Sequence, residues 1–302
     1  MHVKVLGSAA GGGFPQWNCA CSNCSRIRSG VFRGSARTQA QVAVSADGAT
    51  WFLLNASPDL RQQILAPREL APNAPQRSSP IAGVVLTSAD VDAVVGLLHL
   101  REFQPLRIFS TLGIRRIVTE GNVLFRTLER SDPPVEWCDL PLEKEVALAA
   151  GLRCTAVPLG GAYPEYVDAE LRKSLALEDA VIGLAISDGQ KKLLYAPGLS
   201  GIGAEWKAHA VASDLALLDG TFWTNDELIQ VRGSGRTARE MGHLPISGRG
   251  GLLEELRGAT RPRRVAIHIN NSNPILDEES AEHRAMLDAG WEIAHDGMEF
   301  HL

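Results

Sequence analysis

The sequence predicts an α/β fold of the sandwich type, a four-layered αβ/βα arrangement in which two mixed sheets pack face to face under flanking helices. Three observations predict it. Three Asp-Gly pairs, Asp47-Gly48, Asp188-Gly189 and Asp296-Gly297, each join two β-prone runs: 39–45 to 50–55, 181–186 to 192–196, and 291–295 to 298–302. Asp-Gly favours the tight turns of antiparallel hairpins, so the sheets are not purely parallel and doubly wound. Segments with apolar residues at a spacing near 3.6 fall between the strands. Finally, the strand–hairpin–helix pattern of the first half recurs loosely in the second, as two similar halves closing one sandwich would.

The elements follow in order. His2-Val3-Lys4-Val5-Leu6 alternates like a strand and runs into Gly11-Gly12-Gly13. A helix is expected over 58–65, with Pro58 in its first turn, then an exposed proline-rich loop over 66–80. Ile81 to Leu86 reads as a buried strand, 90–103 and 112–120 as helices, and 158–174, with Gly160-Gly161, Tyr163 and Pro164, as a loop. Leu215 to Leu218 and Val265 to Ile269 are strand-like. Helices are expected over 225–231, 249–257 and 277–289, each with a polar residue near its start. There is no long linker, low-complexity tract or short repeat, and the chain reads as one domain over 1–302.

Composition excludes several classes. The chain has 302 residues, 45% of them hydrophobic and 22% charged, with a formal net charge of -5, and its mean hydropathy is -0.04. That is the composition of a soluble globular protein. No basic stripe suits a nucleic acid, and no apolar run approaches a membrane span. The N-terminus shows no charged region, apolar run and cleavage site in succession, so the expected location is the cytoplasm. Three of the five cysteines, Cys19, Cys21 and Cys24, lie within six residues. In a reducing compartment that clustering points to a metal before a disulfide.

Five constellations carry candidate chemistry. Thiolates at Cys19, Cys21 and Cys24 on a tight loop suit a structural Zn(II), with His295, His301 or Asp296 as candidate fourth ligands. Cys138 and Cys154 read as buried small residues. Asp90 and Asp92, between the strand at 81–86 and the next helix, face the strand ends where open sheets bind ligands; helix capping is the alternative role for them. Asp219 ends a buried apolar run and otherwise serves as a turn residue. His268 sits in a β-branched strand before Asn270-Asn271-Ser272-Asn273, and His243 lies on a loop.

In this order the segments resemble the metallo-β-lactamase superfamily, with Ser88-x-Asp90-x-Asp92-Ala93 in place of its His-x-His-x-Asp-His. The resemblance is closest to the pyrroloquinoline quinone (PQQ) biosynthesis protein B family. It rests on an ordered set spanning almost the whole chain: Leu6 to Gly13, Pro15-Gln16-Trp17-Asn18-Cys19-x-Cys21-x-x-Cys24, Leu54 to Gln63, Gly96-Leu97-Leu98 with Leu100-Arg101-Glu102, Met241-Gly242-His243, His268-Ile269-Asn270-Asn271 and Ala294 to Gly297.

The resemblance implies a metallo-β-lactamase fold and a role in making PQQ. It implies a structural zinc on the cysteine loop and an iron in the cleft. The implied reaction is O2-dependent hydroxylation of the tyrosine ring of a glutamate–tyrosine precursor, and other proteins of PQQ synthesis are the expected partners. An alternative for the family is a carrier of PQQ or its precursor towards the periplasm, and a divergent hydrolase is the third reading. The family's usual histidine after the second aspartate is Ala93 here, and a methyl group cannot ligate. The remaining set, Asp90, Asp92, Asp219 and His268, is oxygen-rich and suits Fe(II) or Mn(II). His243 is the expected general acid or base, Asp92 a further catalytic residue, and Ser88 the group that orients a water or carboxylate. A carrier of a tricarboxylate needs cations, for which Arg61, Arg101, Arg232, Arg236 and Arg239 are candidates.

Overall fold

The computed structural model describes residues 1–302 except 73, 75–77, 103–104 and 131. Among these residues fourteen strands form two seven-stranded sheets. The first half supplies β1 (His2–Gly7), β2 (Gln41–Ser45), β3 (Trp51–Leu54), β4 (Ile81–Val85), β5 (Arg107–Ser110) and β6 (Glu136–Asp139). The second supplies β7 (Glu145–Ala147), β8 (Arg153–Pro158), β9 (Ile182–Ser187), β10 (Lys192–Ala196), β11 (Leu215–Asp219), β12 (Arg263–Ile267) and β13 (Trp291–Ile293), and β14 (Glu299–His301) returns to the first sheet. The orders are β14-β1-β2-β3-β4-β5-β6 and β7-β8-β9-β10-β11-β12-β13. Read in those directions, each sheet has three antiparallel pairings followed by three parallel ones. The loose repeat in the sequence is therefore a repeat of topology.

Alternation along the strands sorts the core. In the second sheet Leu193, Tyr195, Leu215, Leu217, Val265 and Ile267 share a cluster with Val3, Val5, Val44 and Phe52 of the first sheet. The intervening Leu194, Ala196, Ala216, Leu218 and Ala266 pack outward with Trp206, Ala210 and Met286 from the covering helices Ala204–Ala212 and Ala281–Asp288. Both faces of the parallel strands are covered, so those strands read as continuous apolar runs. Each fully buried aliphatic side chain contributes roughly 1.5–3 kcal/mol. Trp51, Trp206 and Trp291 are buried, whereas Trp17 is exposed. Cys154 is buried, and Cys138 is only half-buried. Among the described residues no helix is long and apolar enough to cross a membrane.

Two of the three expected hairpins form, β2–β3 and β9–β10. The Asp47 carboxylate caps the first turn by accepting from the Thr50 and Ala49 amides. The Thr50 bond leads the interactions that hold its pKa down to about 2. The third pair is no hairpin: β13 pairs with β12 in one sheet and β14 with β1 in the other. Asp296-Gly297 is the crossing between sheets. Its carboxylate is tied to the first half, accepting from Ser8 Oγ at 2.8 Å and from Thr38 N and Oγ1 at 2.7 Å.

The helix expected over 90–103 is an α-turn at Val91–Val94 followed by a 3-10 stretch at Val95–Leu100; position 103 lies outside the described residues. Backbone packing breaks the regular helix. Ala93 O accepts from Ala56 N at 2.7 Å, and Gly96 N donates to Ala56 O at 2.8 Å. A Cβ at Gly96 would stand 2.3 Å from Ser57 O, so only glycine fits this approach. The expected loops carry short helices of their own, Arg68–Leu70 within 66–80 and Ala169–Lys173 within 158–174; positions 73 and 75–77 of the first lie outside the described residues.

Because Asp296 ties the crossing to Ser8 and Thr38 through three hydrogen bonds, Asp296→Ala is expected to lower the unfolding free energy by about 2–3 kcal/mol. Urea denaturation checks this, and a loss below about 0.5 kcal/mol would show that the crossing is held by the strands alone.

Candidate metal centre

The parallel strands of both sheets end at one edge of the sandwich, and the polar residues that follow them meet there. After β3, Asn55 takes a left-handed backbone (φ 68°). It locks the end of β4: Asn55 Nδ2 donates to Thr87 Oγ1 and Thr87 N donates to Asn55 Oδ1, both at 2.8 Å. Across the seam, Ile182 N at the start of β9 donates to Thr87 O at 2.8 Å. The chain then presents Ser88, Asp90 and Asp92. Ser88 Oγ donates to Asp90 Oδ2 at 2.8 Å. Asp90 precedes the helical turn at Val91–Val94 without capping it through its side chain. Gly11 of the glycine loop lies against Asp92, whose Oδ2 would be 3.3 Å from a Cβ at that position.

Asp219, the last residue of β11, is fully buried. Its Oδ1 accepts from Thr221 N at 3.0 Å and Thr221 Oγ1 at 2.6 Å, and its Oδ2 accepts from Leu199 N at 2.9 Å and faces His243 Nδ1 at 2.8 Å. After β12, His268 takes φ 60°, a conformation that non-glycine residues rarely adopt. His268 Nδ1 lies 2.9 Å from Thr221 Oγ1 and Nε2 lies 3.1 Å from Asp92 Oδ2. The rings of His243 and His268 stack with centroids 5.5 Å apart. Asp219, His243 and His268 each offer a ligand atom within 4.8 Å of the others. Asp92 flanks that group through His268, and Asp90 lies beyond it.

Two tyrosines and one threonine complete the centre. Tyr166 Oη donates to Ala89 O; burial, with the Asp90 charge adding, pushes its pKa up to about 12. Its sequence neighbour Glu165 forms an exposed ion pair with the candidate Arg236 at 2.9 Å. Arg239 instead donates to Gly250 O, and Arg101 pairs with Glu102. Tyr195 is buried beside this group, and burial followed by the Asp92 charge raises its pKa. Thr221 lies two residues after Asp219, but nothing in the sequence marks its hydroxyl as shared by Asp219, His243 and His268.

The three sulfurs of Cys19, Cys21 and Cys24 also lie within 4.8 Å of one another. Burial pushes the Cys24 thiol up to about 11, so an ion bound there has to displace a proton. The residue facing all three sulfurs is Asn271, whose Nδ2 is 3.2, 3.6 and 3.4 Å from Cys19, Cys21 and Cys24. The candidate fourth ligands lie elsewhere. His301 Nδ1 faces His2, Asp296 serves the sheet crossing, and His295 Nδ1 faces Asp296 O.

A protein of Nitrosococcus oceani named coenzyme PQQ synthesis protein B is 44% identical to this chain over the full length of both, and its namesake from Azotobacter vinelandii is 42% identical, also over the full length of both. The chain belongs to the coenzyme PQQ synthesis protein B family. The beta-lactamase superfamily domain matches residues 50–269. The crystal structure of Zn(2+)-bound PqqB from Methylobacterium extorquens is 40% identical and superposes with a TM-score of 0.92, covering 100% of both chains. A diphosphatase of the PhnP family, 18% identical with a TM-score of 0.70 over 100% of this chain and 97% of its own, shares the fold. The metallo-β-lactamase fold expected of a PQQ synthesis protein B, two mixed sheets with flanking helices, is the fold found.

The metal-free centre has a definite pH dependence. Burial disfavours the His268 imidazolium, but the hydrogen bond and charge of Asp92, then Asp219 and Asp90, outweigh it and raise the pKa above 6.5. For Asp92 burial acts upward and is outweighed by the bond to His268, leaving the pKa below 3.8. Burial, then the Asp92 charge, raises Asp90. A raised histidine stabilises the fold fully below its unfolded value and loses that contribution as pH rises through the folded value. The Asp92 contribution is present above 3.8 and is lost as pH falls. The melting temperature of metal-stripped protein should therefore fall as pH rises above 6.5, and His268→Gln should flatten that slope. Parallel slopes for the two proteins would refute the assignment.

Proposed function

We propose that this protein is an Fe(II)-dependent oxygenase of PQQ biosynthesis, adding a hydroxyl group to the tyrosine ring of a glutamate–tyrosine precursor. The observation that carries the reading is the grouping of two imidazoles and one carboxylate, His243, His268 and Asp219. Two histidines and one carboxylate with open positions suit a non-haem Fe(II) site. The three cysteines, with Asn271 facing them, suit a structural Zn(II); turning the Asn271 amide over would present Oδ1 where Nδ2 now lies. The relative from Methylobacterium extorquens is Zn(2+)-bound, which supports metal binding by this chain too.

His243, His268 and Asp219 would hold the iron, with Asp92 beside His268 Nε2 as a further oxygen donor. When bound, iron would supply O2 activation, with one oxygen atom entering the ring and a two-electron reductant of the ascorbate or thiol class carrying the other to water. The chain's own contribution is placement. Thr221 holds His268, and Asp219 Oδ2 with Thr221 holds His243, from the Nδ1 side, so that the Nε2 atoms are the ligating ends. Ser88 orients the Asp90 carboxyl, which holds a proton more readily than an ordinary carboxylate because of burial and Asp92. Tyr166, bonded to Ala89 O, stands beside Asp90.

A second reading, a carrier of PQQ or its precursor, is supported by Ala93. This buried residue removes the imidazole expected next to Asp92.

Anaerobic Fe(II) loading followed by desalting and elemental analysis tests the proposal. The expected result is about one zinc per chain plus retained iron, with O2 uptake and one oxygen atom added to the dipeptide when ascorbate is present. Asp219→Ala and His268→Ala should weaken iron retention by roughly 10–100-fold while keeping zinc. Zinc alone, with no O2 uptake, would reject the oxygenase; tight PQQ binding by the same sample would then support the carrier.

A further inference from the structure

His268, at the cleft, and Asn271, at the three sulfurs, are separated by two residues. Three peptide steps span at most about 11 Å, so whatever fixes one end of this segment restrains the other. The segment is held from both sides. On the sulfur side, Asn271 Nδ2 meets all three Sγ atoms, and Asn23 Nδ2 donates to the carbonyls of Asn271 at 3.2 Å and Asn273 at 3.0 Å. On the cleft side, Asn270 N donates to Thr221 O at 3.1 Å, and Asn273 Nδ2 donates to Gly220 O at 2.9 Å. Between them, Ile269 exchanges backbone bonds with Ser8 and Ala10, which lead directly to Gly11 against Asp92. Ile269 and Asn273 are fully buried.

His268 needs such support. Its left-handed backbone is unfavourable for a side-chain-bearing residue and persists only where the surroundings enforce it. A strand ending in a free loop would relax and carry the imidazole away from Asp92 and Thr221.

We propose that the three-sulfur centre braces the cleft: an ion held by Cys19, Cys21 and Cys24 against Asn271 fixes residues 268–273 and thereby sets the cleft's affinity for its own metal. Asn271 is a positioning residue in this scheme, acting on the cleft through His268. The proposal rests on reading both groups as metal sites, and it adds a coupling between them.

Co(II) titration of the full-length, zinc-containing protein reads the cleft directly, because cobalt on nitrogen and oxygen donors lacks the thiolate charge-transfer band of the sulfur site. Asn271→Ala, which leaves the three sulfurs and the cleft donors in place, is expected to raise the cleft Kd by about tenfold or more. Asn271→Asp should restore most of the affinity. An unchanged cleft Kd in a folded Asn271→Ala protein overturns the brace. Should that variant fail to fold, wild-type protein stripped of its sulfur-bound zinc by a thiol-directed mercurial provides the same comparison: a weakened cleft supports the coupling and an unaltered one overturns it. A wild-type protein with no cleft cobalt signal at all would reject the metal reading and the brace together, which separates that failure from failure of the coupling alone.

Discussion

One hydroxyl group organises the centre. Thr221 Oγ1 lies 2.6 Å from Asp219 Oδ1, 3.1 Å from His243 Nδ1 and 2.9 Å from His268 Nδ1. A hydroxyl has one proton to give and two lone pairs to receive with. The shortest of these contacts runs to a buried carboxylate, which accepts but cannot donate while ionised, so the proton goes there. His268 must then present Nδ1–H to the threonine, while His243 presents Nδ1–H to the nearer Asp219 Oδ2 at 2.8 Å, and both Nε2 atoms become the lone-pair ends. For His268 that end points at the Asp92 carboxylate, 3.1 Å away. Two acceptors at that distance repel unless a cation lies between them. In the metal-free protein a proton fills that role, which is why the His268 pKa is raised against its burial. A metal ion is the other cation that satisfies the same pair, and the raised pKa and the metal affinity have one origin.

This hub depends on backbone placement that only partly shows in the sequence. The Asp-Gly turns at 47–48 and 188–189 were legible because the runs they join are adjacent and the turn chemistry is local. The same dipeptide at 296–297 misled, because the partner of β14 is β1 at the other end of the chain and no local signal encodes a pairing across that separation. Asp219 and His268 were legible as the ends of apolar runs buried on both faces. Asn271 was not. Its approach to the sulfurs follows from the turn at His268, and a left-handed φ at histidine has no sequence mark. The helix expected over 90–103 failed for a related reason: apolar periodicity reports which face is buried, and it is silent on a backbone carbonyl claimed by Ala56 from another strand end.

The two residue groups differ in donor chemistry as sharply as two sites so close together can. One offers three sulfurs, the other nitrogen and oxygen alone. Soft thiolates favour zinc, and imidazole with carboxylate accepts iron or manganese. Zinc generally outcompetes Fe(II) at nitrogen and oxygen sites, so donor type alone does not keep it out of the cleft. A sulfur site at the far end of the same short segment offers zinc a stronger alternative, and under the proposed brace filling it would shape the second site. Ala93 fits this picture. Without a histidine beside Asp92 the cleft has one fewer strong nitrogen donor, and a second zinc loses more from that than a metal content with oxygen ligands. In the proposed oxygenase, the same alanine would therefore both lower the affinity of the cleft and shift its preference away from zinc and towards the harder ion that O2 chemistry needs.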